Sequence, residues 1–168
     1  MSRVTSVEIE ATLRAVGPCQ DPSDDEVQDL PERVGEPHPF DVIAPERGHA
    51  RTAVTALTAR SAGASGDVDL WALTLESAVA VATRARDLDM AAALGRAAAL
   101  LGPAGSKAAD SAAAFIVSRR TAEGGFLRLE PEGGCETVNE STAAACARTL
   151  RTILECRGTS AQGEVERT

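Results

Sequence analysis

Apolar positions recur at helical spacing over most of the chain. Near the N-terminus Ile9, Leu13 and Val16 lie four and three residues apart, the spacing that gathers side chains on one helix face. Thr5 and Glu8 form a capping box ahead of them, Val4 is placed to staple against Ile9, and Gly17-Pro18 ends the run. Residues 18–46, PCQDPSDDEVQDLPERVGEPHPFDVIAPE, break this pattern. Six of the eight prolines fall here among acidic residues, a density that forbids continuous helix and discourages strand pairing. A long loop or tether is expected, with residues 1–17 as a helical arm that packs on the body or on a neighbour.

The helical pattern then returns. A helix is expected over about 48–62, with Ala50, Ala53, Val54 and Leu57 on one side, and another from an Asp69 cap to Arg86, with Leu75 and Val79 inward. Asp87 or Asp89 caps a third, in which Met90, Leu94, Ala97 and Leu101 share a face, and Gly102-Pro103 stops it. Ser106 is placed to cap a helix running to Arg120. FLRLE alternates and is a candidate short strand, and LEPEGGCETVN is expected as a loop. Thr137 and Glu140 offer a second capping box, followed by Ala143, Cys146, Leu150, Ile153 and Arg157 on one face. From Gly158 a polar, frayed tail is expected. The organisation is thus an arm (1–17), a Pro-rich acidic linker (18–46), a helical domain (47–157) and a tail (158–168).

Composition changes the picture of the core. Of 168 residues 43% are hydrophobic, but aromatics are only 2%, with one Trp, three Phe and no Tyr. Alanine supplies much of the rest, which favours helix and close backbone approach while burying little area per side chain. A partner subunit is one source of further burial, so a homo-oligomer is expected. The net charge of −8 disfavours nucleic acid as a partner. The N-terminus lacks the apolar stretch of a secretory signal, and MAAALGRAAALLG is too short to span a bilayer, so a cytoplasmic protein without a membrane span is expected. Cys19, Cys135, Cys146 and Cys156 form no C-x-x-C pair and read as thiols, with Cys146 a small core residue.

One unit carries a resemblance. SAAAFIVSRRTAEGGFLRLEPEGGCETVNESTAAACARTL, residues 111–150, places Ala112, Phe115, Ile116, Gly124, Gly125 and Phe126 at the spacing of a known helical repeat. It resembles one repeat of the α/α-toroid proteins, the squalene and terpene cyclases and protein prenyltransferase β subunits. Arg120 stands where that family has Gln, and Ser111 where cyclases often have Lys or Arg. An echo puts Arg60-Ser61-Ala62 and Arg119-Arg120-Thr121-Ala122 before glycine turns, each followed by a Glu-Ser pair, Glu76-Ser77 and Glu140-Ser141. The resemblance implies an all-α fold of helical hairpins forming a partial α/α toroid. It implies an apolar, isoprenoid-like ligand in a concave cavity, lined by Trp71, Phe115 and Phe126. It carries a scaffold and no reaction.

Candidate chemistry is sparse. The Asp-x-Asp-Asp acid motif is absent. Asp21, Asp24 and Asp25 loosely resemble a diphosphate-binding cluster but stand among prolines. Cys135 has no downstream His to complete a zinc site, since His38 and His49 precede it. Cys146 and Cys156 project about 80° apart on a helix, awkward for one metal. GPAGSKAAD lacks the spacing and hydroxyl of a phosphate loop, Asn139-Glu140-Ser141 is a sequon without a secretory context, and no nucleophile elbow occurs. Glu76 and Glu140 are the candidate acids, on the expectation that both open equivalent inner helices; first-turn helix-dipole stabilisation is the plainer account of such glutamates. The cofactor, like catalysis, stays open. The alternative function is a non-catalytic protein-interaction or assembly module on the same scaffold.

Overall fold

A computed structural model of the chain describes residues 4–17, 68–129 and 134–165. The described part is mostly helical. In chain order come α1 (Ser6–Val16), α2 (Val68–Arg84), α3 (Leu88–Leu100), a 3-10 turn at Gly102–Gly105, α4 (Ser106–Ser118), strands β1 (Leu127–Leu129) and β2 (Cys135–Thr137), and α5 (Glu140–Val165). The strands form one antiparallel hairpin, with Leu127 opposite Thr137 and Leu129 opposite Cys135. The Pro-rich linker, the helix expected over 48–62, Cys19, the Asp21 cluster and both histidines lie outside the described residues.

α3 is the centre, packed against α2, α4 and α5. Its composition permits this. Ala91, Ala92, Leu94, Gly95, Ala97, Ala98 and Ala99 are buried, so small side chains point at every neighbour. A Cβ on Gly95 would lie 2.5 Å from Ala112 Cβ of α4 and 3.3 Å from Thr149 Cγ2 of α5, so three helices converge where one residue has no side chain. Thr149 Oγ1 donates to the Ala92 carbonyl at 2.8 Å, which satisfies a buried hydroxyl between α5 and α3. Leu75, Val79, Leu88, Leu94, Ile116, Phe126, Leu150 and Ile153 supply the larger volumes. The core is held by close backbones as much as by bulky side chains.

The arm packs on the body. Ile9 and Thr12 of α1 are buried, and α1 lies on α4 and α5. The Arg157 guanidinium donates to the Val4 carbonyl at 3.2 Å and pairs with Asp110 of α4, so one side chain of α5 ties α4 to the segment leading into α1. The capping box is present. The Thr5 amide and hydroxyl donate to Glu8 Oε2 at 2.7 and 2.8 Å, and these bonds, the backbone one first, hold the Glu8 carboxyl below its ordinary 4.5. A carboxyl depressed in the folded state stabilises above its unfolded pKa, and that stabilisation disappears as pH falls through the folded value. The difference in melting temperature between Glu8→Gln and the parent is therefore expected at neutral pH and should close as the pH falls through the lowered Glu8 pKa. An NMR titration placing the Glu8 pKa at or above 4.5 would refute this account.

Several boundaries differ from expectation. α2 starts at Val68, so Asp69 sits in the first turn and favours the helix dipole there. Asp87 is the cap of α3, accepting from the Met90 amide at 3.1 Å. Ser106 does not cap α4, because the 3-10 turn feeds its backbone directly into the helix from Gly105. The expected loop contains β2. Asn139, not Thr137, caps α5, accepting from the Thr142 amide at 2.8 Å. The tail is helical to Val165, since Gly158 costs only about 1 kcal/mol and no proline follows it.

Candidate functional site

The Gly-Gly unit is built as its residues require. α4 ends at Ser118, and the chain reverses through a tight loop in which Arg120 bridges to Phe126. The Thr121 amide donates to the Gly125 carbonyl at 2.9 Å, and the Gly125 amide donates to Thr121 Oγ1 at 2.9 Å. Gly124 takes φ +90, open to glycine and strained for other residues. Phe126 then returns to the core with no exposed surface, and the Val138 amide donates to its carbonyl at 3.0 Å. Arg120, at the position where the resembled repeat has Gln, is exposed and contributes its backbone to the bridge.

Beside this turn a polar junction ties three elements together. Asp89, in the first turn of α3, accepts from Arg128 Nη2 of β1 at 2.7 Å and from Thr142 Oγ1 of α5 at 2.6 Å. The Asp89 and Arg128 side chains are each about 40% exposed, which puts their pair in a screened setting worth roughly 0–1 kcal/mol. The junction fixes where the hairpin lies against α3 and α5. No local signal in the sequence joins Asp89 to Arg128 and Thr142, which lie 39 and 53 residues away.

The five residues singled out for chemistry stand in different settings. Phe115 of α4 is buried, with the Arg119 guanidinium 4.9 Å from its ring centroid. Phe126 is a core residue. Trp71, near the start of α2, is half-buried against the core. Glu76 lies midway along α2 and does not open a helix; its carboxylate pairs with Lys107 of α4. Glu140 is the first residue of α5 and is exposed, the position where a carboxylate favours the helix dipole. The expected equivalence of Glu76 and Glu140 as helix openers therefore does not hold.

The cysteines read as expected where they are described. Cys146 is fully buried, Cys135 is exposed in β2, and Cys156 is half-buried. Burial, and secondarily the Glu155 charge, raises the Cys156 thiol above its ordinary 9.0, which keeps it protonated at neutral pH. Among the described residues no group of three or more His, Cys, Asp or Glu is arranged to hold a metal ion, and no helix is long and apolar enough to cross a membrane.

Apolar side chains do reach the surface on α2. Leu73 is 64% exposed and Val81 54% exposed, while Leu75, Ala78, Val79 and Ala82 on its opposite side are buried. Asp69, Ser77, Ala80 and Arg84 are exposed on the same outer face. Comparison with family models, with curated proteins and with solved structures found no match.

Proposed function

We infer that the protein is a non-catalytic interaction or assembly module on an all-α scaffold, and that the outer face of α2 is its contact surface. The observation that carries this reading is the exposure of Leu73 and Val81 on a helix whose other side is fully committed to the core. Leu73 and Val81, about two helical turns apart on that face, leave apolar surface outside a filled core where another protein can bury it. The Gly124-Gly125-Phe126 turn supports reading the scaffold as a hairpin unit of the α/α-toroid type. An isoprenoid site of that type calls for aromatic faces on a cavity wall, and Phe115 and Phe126 are instead packed inside. The two acids are likewise engaged as surface charges, Glu76 by Lys107 and Glu140 at a helix start.

Melting curves test the reading. A ligand that binds only the folded state must raise the melting temperature. Farnesyl diphosphate, with and without Mg²⁺, is expected to leave it unchanged. At protein concentrations too low for self-association, Leu73→Glu is also expected to leave it unchanged, because an exposed side chain contributes little to the chain's own fold. A clear rise with farnesyl diphosphate would restore the apolar-ligand reading. A clear fall in Leu73→Glu at that dilution would show that this face is covered by the chain itself.

A further inference from the structure

We propose that α2 pairs with α2 of a second copy in an antiparallel, two-fold symmetric contact centred on Ser77. The proposal rests on the assembly reading above and names its partner. Leu73, Ser77, Ala80 and Arg84 follow one another at four, three and four residues, the alternation of a helix-pairing seam, and all four are exposed. The residues at the middle of the seam are small. Ser77 and Ala80 let two backbones approach closely, as Gly95 and Ala112 do inside the protein.

Charge then selects the direction. Asp69 lies eight residues before Ser77 and Arg84 seven after it, about 12 Å and about 10.5 Å along the axis at 1.5 Å per residue. In an antiparallel pair centred on Ser77 each Asp69 falls beside the partner's Arg84, and Leu73 falls opposite the partner's Val81. A parallel pair sets Asp69 against Asp69 and Arg84 against Arg84, which repel. The same four-residue offsets, Leu73 before and Val81 after Ser77, give each copy one ridge and one matching ridge on its partner, the self-complementarity a two-fold contact requires. The contacting helix has 17 residues and spans about 25 Å, so the interface is at the small end of specific contacts and the affinity is expected in the micromolar range.

Sedimentation equilibrium of the full chain between about 1 and 200 µM tests this, since that range brackets a micromolar dissociation constant. The parent is expected to shift from monomer to dimer. Leu73→Glu is expected to weaken the dimer at least tenfold. Asp69→Arg and Arg84→Asp are each expected to weaken it, and the double variant to recover most of the loss, because it restores opposite charges with the signs exchanged. Raising the salt should narrow the effect of the charge variants and leave that of Leu73→Glu. A monomer at every concentration overturns the proposal, as does a dimer indifferent to Leu73→Glu or a double variant no better than either single one. The assembly reading fails separately, through a rise in melting temperature with farnesyl diphosphate.

Discussion

Phe126→Ala is expected to lower the unfolding free energy by about 3–5 kcal/mol, the range for removing a buried aromatic ring. The upper half of that range is favoured here. Phe126 has no exposed surface, and its backbone is fixed on both sides, by the bridge to Arg120 and by the Val138 amide. A chain held in that way cannot sink into the space the ring leaves. Many positions of the core it belongs to are alanine, whose side chains have no rotamers with which to fill a cavity. For a chain of this size each kcal/mol moves the melting temperature by about 2–4 °C, so a fall of roughly 6–20 °C is expected. Phe126→Leu keeps much of the buried area and should lose far less. Phe115→Ala should also lose less than Phe126→Ala, because Phe115 retains 8% exposure and carries Arg119 on its face, where water can enter. Urea unfolding monitored by circular dichroism measures all three. A loss under about 1 kcal/mol in Phe126→Ala would mean the ring is not a core residue.

The contrast between Phe126 and the ends of the helices shows what the sequence could disclose. α1 was legible because its signals are local: Thr5 and Glu8 cap it, Ile9 and Leu13 mark its buried face, and Gly17-Pro18 ends it. The return of Phe126 after the Gly124-Gly125 turn was also legible, since positive φ and an aromatic after a helix leave few options. The start of α5 was misread for a physical reason. Thr137-Glu140 and Asn139-Thr142 both have cap spacing, but Thr137 is paired to Leu127 in the hairpin, and so Asn139 takes the cap. That pairing is itself tertiary: three-residue strands on either side of a Pro-Gly-containing stretch of sequence announce nothing alone. The candidate site was the least legible part. The Glu76–Lys107 and Asp89–Arg128 pairs join distant segments, and a glutamate's partner cannot be read from its neighbours in sequence. The aromatic residues stand out in the sequence, yet a ring in a core and a ring on a cavity wall have the same one-letter code.

Gly124→Ala is expected to cost about 2–5 kcal/mol, from two separable sources. The first is strain: φ +90 is costly for any residue with a Cβ, by about 1–2 kcal/mol. The second is contact. An added Cβ would lie 1.9 Å from the Ala15 carbonyl oxygen and 2.8 Å from its carbon, both backbone atoms at the end of α1. No rotamer change relieves that overlap, so α1 or the turn must move. Gly17 provides an internal control. It has φ +74, also in the positive range, but a Cβ there meets nothing within 4 Å. Gly17→Ala should therefore show the strain cost alone, and the excess in Gly124→Ala measures how hard the turn presses on the arm. Hydrogen exchange locates the excess. In Gly124→Ala the amides of α1 should lose protection while those of α3 keep it, because the arm can lift without opening the centre. Equal losses in the two variants, or an α1 protected as in the parent, would mean that the turn and the arm do not bear on each other. An excess confined to α1 would show that the double glycine serves two ends: it lets the chain reverse after α4, and it leaves room for the end of α1 to lie against that reversal.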